Sequence, residues 1–141
     1  MSHDKSINST PQGSGDKKSQ AVELNNLGAA AYAKKDYAAA LRWFKESLAI
    51  SHEAGNKEEE AVAHWNLALT CAELDDLVRT VRHMNRAVRL AKKLGCPNWK
   101  RCRTALRTVR AELRRRRLRA FARMTQRLTG PTAMCGLVLF V

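Results

Sequence analysis

The chain has 141 residues, of which 45% are hydrophobic and 28% are charged, as is typical of a folded globular protein. Three prolines and seven glycines exclude a collagen-like or linker-like chain. Lys and Arg number 26 against 13 Asp and Glu, and residues 99–141 hold 12 of the basic residues but Glu112 as the one acidic residue. The positive charge is therefore concentrated in one segment, which needs its own explanation.

The first segment, residues 1–19, is rich in Ser, Gly, Asp, Lys, Asn and Gln. Such a composition buries too little apolar surface to offset the entropy lost on ordering, so we expect this segment to be disordered. It contains no apolar stretch of the kind found in secretory signals, and the four cysteines of the chain are irregularly spaced. We therefore expect a reduced, cytoplasmic protein, or a nuclear one if the cell has a nucleus.

Residues 20–95 carry four apolar stripes with helical spacing. The second stripe consists of Tyr37, Leu41, Phe44 and Leu48, at steps of four, three and four. The breaks between stripes are short, so we expect consecutive helices to be antiparallel neighbours. Two breaks contain a glycine, Gly55 or Gly95, just past the expected end of a helix. No sustained alternation typical of strands is present, and the pattern therefore predicts an all-α fold.

The same segment repeats with a period of 40 residues. Shifting residues 21–55 onto 61–95 leaves seven of the 35 positions identical. The identical pairs are Ala21/Ala61, Val22/Val62, Asn26/Asn66, Leu27/Leu67, Asp36/Asp76, Arg42/Arg82 and Gly55/Gly95. A fixed period of this size indicates stacked helical hairpins.

The first unit resembles the tetratricopeptide repeat. Leu27-Gly28 supplies the L-G of that pattern, Ala40 and Phe44 supply A-x3-F, and Asp36 begins a turn like that between its helices. The period of 40 rather than 34, and the absence of a closing proline, are similar to the longer-helix branch of the family. The resemblance implies two stacked hairpins in a right-handed α-solenoid over residues 20–95. It also implies close helix contacts at four small residues: Gly28, Ala40, Ala68 and Thr80.

The resemblance further implies that the first helix of each hairpin lines a concave peptide-binding groove. The side chains expected to bind a peptide are Asn25, Asn26, Tyr32, Trp65, Asn66, Leu69 and Glu73. Asn26 and Asn66 occupy equivalent positions, and an Asn side chain both donates and accepts, so the two can form a ladder that holds a peptide main chain. Alternatively, each Asn bonds only a neighbouring helix. Asn25 and Ala29 do not match the carboxylate clamp of chaperone-binding members, so capture of a C-terminal carboxylate is not predicted.

Residues 96–128 are expected to form one long basic helix that closes the repeats. A further shift of 40 places Arg101 and Arg107 at core positions, so a third repeat is not predicted. An apolar stripe from Leu106 to Phe121 and beyond is expected to pack on the repeats. The planar guanidinium group suits phosphate and carboxylate. The candidate polyanion-binding residues are Arg110, Arg114, Arg115, Arg116, Arg117, Arg119 and Arg123.

Several partners stay open for this basic helix. It can bind a nucleic-acid backbone, it can bind an acidic protein or make weak contact with an anionic membrane surface, or it is simply a solvated face. Residues 129–141 open with Gly130-Pro131, which stops the helix, and end in a short apolar tail, which is too short to span a membrane. Two repeats are fewer than an array of this kind usually needs for stability, so homo-oligomerisation is a further alternative.

The sequence contains no pattern typical of catalysis or metal binding. His52-Glu53 begins like H-E-x-x-H but lacks the second histidine, and Cys96 and Cys102 have no partner pair. We therefore predict no enzymatic activity, no cofactor and no metal. The predicted function is that of a scaffold or adaptor that binds an extended peptide in the groove. The alternative is a nucleic-acid-associated protein that uses the arginine-rich helix.

Overall fold

The structure is a computed structural model that describes residues 14–129. Its elements are α1 (Ser14–Ala33), α2 (Tyr37–Glu53), α3 (Lys57–Glu73), α4 (Leu77–Lys93) and α5 (Trp99–Thr129). No strand occurs in this range, so the all-α class predicted from the sequence is confirmed. α1 pairs with α2 and α3 with α4, while α3 packs on α2 and α5 on α4. Two helical hairpins therefore stack in chain order, followed by α5.

The helix ends recur every 20 residues, and this spacing produces the 40-residue repeat. Each end is marked by a residue with φ between 59° and 68°: Lys35, Gly55, Asp75 and Gly95. This left-handed conformation is common just past the end of a helix. Glycine adopts it without strain, as predicted for Gly55 and Gly95, whereas a side chain at the other two positions costs about 1 kcal/mol.

Three of these turns also cap the helix that follows. The side chains of Asp36, Asn56 and Asp76 each accept a hydrogen bond from the backbone N–H three residues later, at 2.9–3.2 Å. Each cap satisfies one of the free N–H groups in a first helical turn, which stabilises the helix by about 1 kcal/mol. The same local device therefore starts α2, α3 and α4.

The buried core consists of two similar clusters. The first contains Ala31, Ala40, Phe44 and Leu67. The second contains Ala68, Met84, Val88 and Leu106. Leu106 packs in one cluster with Met84, just as Leu67 packs in one cluster with Phe44. Leu106 lies 39 residues after Leu67, however, rather than the 40 of the repeat. With this offset Leu106 aligns with Leu67, but Arg107 then aligns with the buried Ala68 and is itself exposed, so α5 matches the first helix of a hairpin only in part.

α1 and α2 approach each other most closely where the small residue Gly28 faces Phe44. A Cβ atom on Gly28 would lie 2.5 Å from Cε1 of that ring. The other three small residues for which close contact was predicted, Ala40, Ala68 and Thr80, are fully buried. The helices therefore pack closely at positions where only a small side chain fits.

The N-terminal boundary differs from the prediction. α1 begins at Ser14, inside segment 1–19, for which we expected disorder. Lys17 on this extension forms an ion pair with Glu53 of α2 at 3.2 Å, and Asp16 lies in the first turn, where the helix dipole favours a negative charge. Extending a helix that has already formed costs far less than starting one. Residues 1–13 and the predicted apolar tail from residue 130 lie outside the described residues.

The packing of α5 also differs from the prediction. The apolar stripe of this helix was expected to pack on the repeats, but Leu106 is buried whereas Phe121 and Met124 are exposed. α5 has 31 residues and α4 has 17, so at about 1.5 Å per residue α5 is roughly 20 Å longer. The part of α5 beyond Arg116 therefore extends past α4, and its apolar side chains Leu118, Phe121 and Met124 are exposed. Within residues 14–129, no helix combines the length and the hydrophobicity that a membrane span requires.

Candidate functional site

α1 and α3 lie side by side and leave a small cavity between them. The cavity has a volume of about 80 Å³ and is lined by Ala29, Tyr32, Asn66 and Leu69, with Phe44 of α2 completing the wall. Tyr32, Asn66 and Leu69 are three of the predicted peptide-binding residues, and the structure brings them together. Sites for small-molecule ligands usually measure about 300–1,000 Å³, so this cavity has room for a small side chain only.

Two amide side chains meet beside this cavity. Asn66 donates from Nδ2 to Oδ1 of Asn25 at 2.8 Å. Asn66 thus bonds a neighbouring helix, which was the alternative to the predicted ladder, whereas Asn26, the other member of that ladder, is exposed and stays a predicted peptide-binding residue. The reason is that α1 and α3 meet with an offset of 41 residues, as between Asn25 and Asn66, which is one more than the sequence period.

The paired amides keep free hydrogen-bonding capacity. A carboxamide has two N–H donors and an oxygen with two lone pairs. Within the described residues, neither Oδ1 of Asn66 nor Nδ2 of Asn25 has a hydrogen-bond partner. The pair therefore presents one acceptor and one donor group, and the bond between the two amides orients both of them.

Two tyrosines and a carboxylate lie at the C-terminal end of α3. The hydroxyl of Tyr32 donates to Oε1 of Glu73 at 3.1 Å, and that of Tyr37 donates to Oε2 at 3.5 Å. The two rings meet edge to face, with their centres 5.5 Å apart. Burial, and then the hydrogen bond and charge of Glu73, raise the pKa of Tyr32. Glu73 therefore holds Tyr32 beside the cavity as a protonated hydrogen-bond donor.

Trp65 lies at the junction of α3 and α5. It is half-buried and packs against the cluster that contains Leu106. It also lines a second cavity, of about 350 Å³, with Arg101 and Cys102 from α5. The predicted peptide-binding residues on α3 thus face two neighbours, because Trp65 turns toward α5 and Asn66 turns toward α1.

A pair of histidines that the sequence analysis did not single out together joins α3 to α4. Nδ1 of His64 and Nδ1 of His83 are 3.0 Å apart. Burial and then the neighbouring positive charges lower the pKa of His83 to about 4, and burial lowers that of His64. One sequence signal existed: positions 64 and 83 are nearly symmetric about the turn at 74–76, so an antiparallel hairpin brings them together.

These histidines also line a wider cavity between α2, α3 and α4. It measures about 580 Å³ and is lined by side chains of α2, α3 and α4, including the cations Lys45, Arg82 and Arg86. The part of the chain that the structure describes contains no group of three His, Cys, Asp or Glu residues placed to hold a metal ion.

The predicted polyanion-binding arginines fall into two sets. Arg116 forms ion pairs with Asp75 at 2.6 Å and with Glu112 at 3.0 Å. Arg110 donates to Asn85, and Arg115 lies 3.9 Å from Glu112. The second set is exposed and forms no ion pair with any described residue: Arg114, Arg117, Arg119 and Arg123. Of the predicted arginines, only those of the second set have guanidinium groups that are fully available to bind a polyanion.

Comparison with known proteins identifies the repeated part of the chain. The family model described as Tetratricopeptide repeat matches residues 20–93, slightly more than half of the sequence. The match covers α2, α3 and α4 and all but the first turns of α1. No curated protein and no solved structure matches the chain.

Proposed function

Because the chain belongs to the tetratricopeptide repeat family, whose repeats generally mediate protein–protein interaction, we propose that it is a non-catalytic adaptor that binds an extended segment of a partner protein. The binding surface is the groove along α1 and α3. Repeats of this kind stack into a continuous concave surface, and that surface is what they use for binding.

The observation that carries the proposal is the amide pair of Asn25 and Asn66. Its free acceptor, Oδ1 of Asn66, suits a peptide N–H, and its free donor, Nδ2 of Asn25, suits a peptide C=O. In an extended segment, successive side chains point to opposite sides. A residue held at the amide pair therefore has a neighbour whose small side chain fits the 80 Å³ cavity.

Two flanking features support the same binding mode. Tyr32 borders the cavity and is held in place by Glu73. Trp65 lines the second cavity together with Arg101, so a longer segment has an aromatic and a cationic contact beyond the amides. The mode therefore favours a partner with a small side chain at its centre and an acidic residue on the side nearer α5.

The test is a substitution in the amide pair, measured on a peptide selected from a display library with the full chain. Asn66→Ala removes the acceptor and should weaken binding by about 1–3 kcal/mol, because the peptide N–H is left without its partner. Asn25→Ala should produce a loss of similar size. Isothermal titration calorimetry measures both affinities directly.

Gln20→Ala is the matched control, because Gln20 is an exposed amide on α1 far from the cavity in sequence. It should bind like the unsubstituted protein. If Asn25→Ala and Asn66→Ala both bind the selected peptide with unchanged affinity, the proposed groove is wrong.

We also propose a cytoplasmic location. The described cysteines, Cys71, Cys96 and Cys102, all carry free thiols, which is common in a reducing compartment. Fluorescence microscopy of the tagged protein in its own cell tests this assignment.

A further inference from the structure

The second half of α5 presents an exposed apolar face. We call residues 117–127 the distal segment. Within it, Leu118, Phe121 and Met124 are 63%, 61% and 52% exposed. Their spacing of three residues places them along one side of the helix. A single exposed apolar side chain is ordinary, but three large ones along one side of a helix indicate a surface that binds a partner.

The same part of α5 is strongly cationic. Residues 113–141 contain seven arginines and no acidic residue. Arg116 is paired with Asp75 and Glu112, but Arg117, Arg119 and Arg123 are exposed and form no ion pair within the described range. Arg119 and Arg123 lie on the side of the helix opposite Phe121, whereas Arg117 lies on the apolar side between Phe121 and Met124. Apolar and cationic side chains therefore share the part of α5 that projects beyond the repeats.

We propose that the distal segment binds an anionic lipid surface. In this arrangement Leu118, Phe121 and Met124 enter the boundary between headgroups and acyl chains, while the arginines pair with lipid phosphates and carboxylates. Helices with an apolar face and a cationic face lie in the plane of the membrane in this way, and each basic residue near an anionic leaflet strengthens binding.

A second feature of the sequence favours lipid over other anionic partners. Residues 133–141 carry no charge and include Leu137, Val138, Leu139 and Phe140. Stable peripheral binding usually takes two signals, and an amphipathic helix followed closely by an uncharged apolar stretch supplies two.

The exposed apolar face also separates lipid from nucleic acid. Binding to a phosphate backbone uses the arginines alone and would leave Leu118, Phe121 and Met124 in water. An anionic lipid surface uses both faces of the helix. Nucleic acid is therefore an outcome that the test must be able to reveal.

The test is sedimentation of the full chain with vesicles. We expect binding to vesicles of phosphatidylcholine with about 30 mol% phosphatidylserine, and much weaker binding to phosphatidylcholine alone. The triple variant Leu118→Ser, Phe121→Ser, Met124→Ser should lower the partition coefficient by at least about 30-fold. All three side chains are more than half exposed, so the helix content of this variant should be unchanged by circular dichroism.

The matched control changes three exposed apolar side chains on the repeats. The control variant is Val22→Ser, Val62→Ser, Val78→Ser, at positions 41–48% exposed. It should bind the anionic vesicles as the unsubstituted protein does. A third variant, Arg117→Gln, Arg119→Gln, Arg123→Gln, should lose about fivefold for each charge removed.

Four results would overturn the proposal. The first is equal vesicle binding by the two serine variants. The second is no vesicle binding together with salt-sensitive binding to a duplex of about 20 base pairs. The third is full loss of vesicle binding on deletion of residues 130–141 with no loss in the distal serine variant. The fourth is no vesicle binding together with a dimer, seen by analytical ultracentrifugation, that the distal serine variant dissociates.

Discussion

Gly28 is the position at which the packing of the first hairpin can be tested most sharply. In Gly28→Ala the new Cβ would lie 2.5 Å from Cε1 and 2.6 Å from Cδ1 of Phe44, whereas carbon atoms in contact prefer about 3.5–4.0 Å. Phe44 is 2% exposed, so its ring has little room to move. Overpacking of this kind costs about 1–3 kcal/mol, while Ala in place of Gly within a helix gains about 1 kcal/mol.

Because the clash is with a buried ring, we expect the cost near its upper limit and a net loss of about 2 kcal/mol in the free energy of unfolding. Urea denaturation followed by circular dichroism at 222 nm measures this value. Gly15→Ala is the control on the same helix, since nothing lies within 4 Å of a Cβ there, and its stability should be unchanged or slightly higher. Gly28→Ala as stable as Gly15→Ala would refute the close approach of α1 and α2.

Three further predictions concern stability. The pKa of His83 is lowered to about 4 in the folded protein, whereas a histidine in the unfolded chain has a pKa near 6.5. The contribution of neutral His83 to the free energy of unfolding is therefore complete above about pH 7 and is lost as the pH falls from 6.5 toward 4. Because the ring is half-exposed and solvent weakens the effect, the free energy of unfolding should fall by about 1 kcal/mol between about pH 7.5 and 5. Urea midpoints measure this loss, and it should shrink in His83→Gln. Ser47→Ala should cost about 1–2 kcal/mol by the same assay, since Oγ of Ser47 donates to the buried carbonyl of Ala21 at 2.8 Å; Ser19→Ala, at an exposed position, should cost nothing measurable. Asp76→Ala removes the cap of α4 and should lower the thermal midpoint by the equivalent of about 1 kcal/mol, and an unchanged midpoint would show that the cap contributes nothing.

The sequence alone determined the helices, their order and the repeat. Apolar spacing of three and four residues and the residues that end or start a helix act over one or two turns. The positions of Gly55 and Gly95 just past a helix end could therefore be predicted without any knowledge of the fold. The small residue at Gly28 could also be assigned, because the family pattern reserves that place for close contact.

The candidate site was only partly predictable, because it depends on how neighbouring helices are rotated and shifted. Asn66 meets Asn25 rather than its repeat equivalent Asn26, and moving one position along a helix turns a side chain by about 100°. The contact between His64 and His83 likewise arises only once the second hairpin has closed. An alignment of the two repeats contains no information on either offset.

The tertiary structure also decided which parts of α5 are free. Arg114 and Arg116 are alike in sequence, but Arg116 faces Asp75 at a turn of the repeats and forms an ion pair with it. Leu106 and Phe121 belong to one apolar stripe, yet Leu106 is buried and Phe121 is exposed. The physical reason is that helical periodicity is set by neighbours along the chain, whereas burial and pairing depend on where the side chains of one helix interlock with those of the next and where the next helix ends.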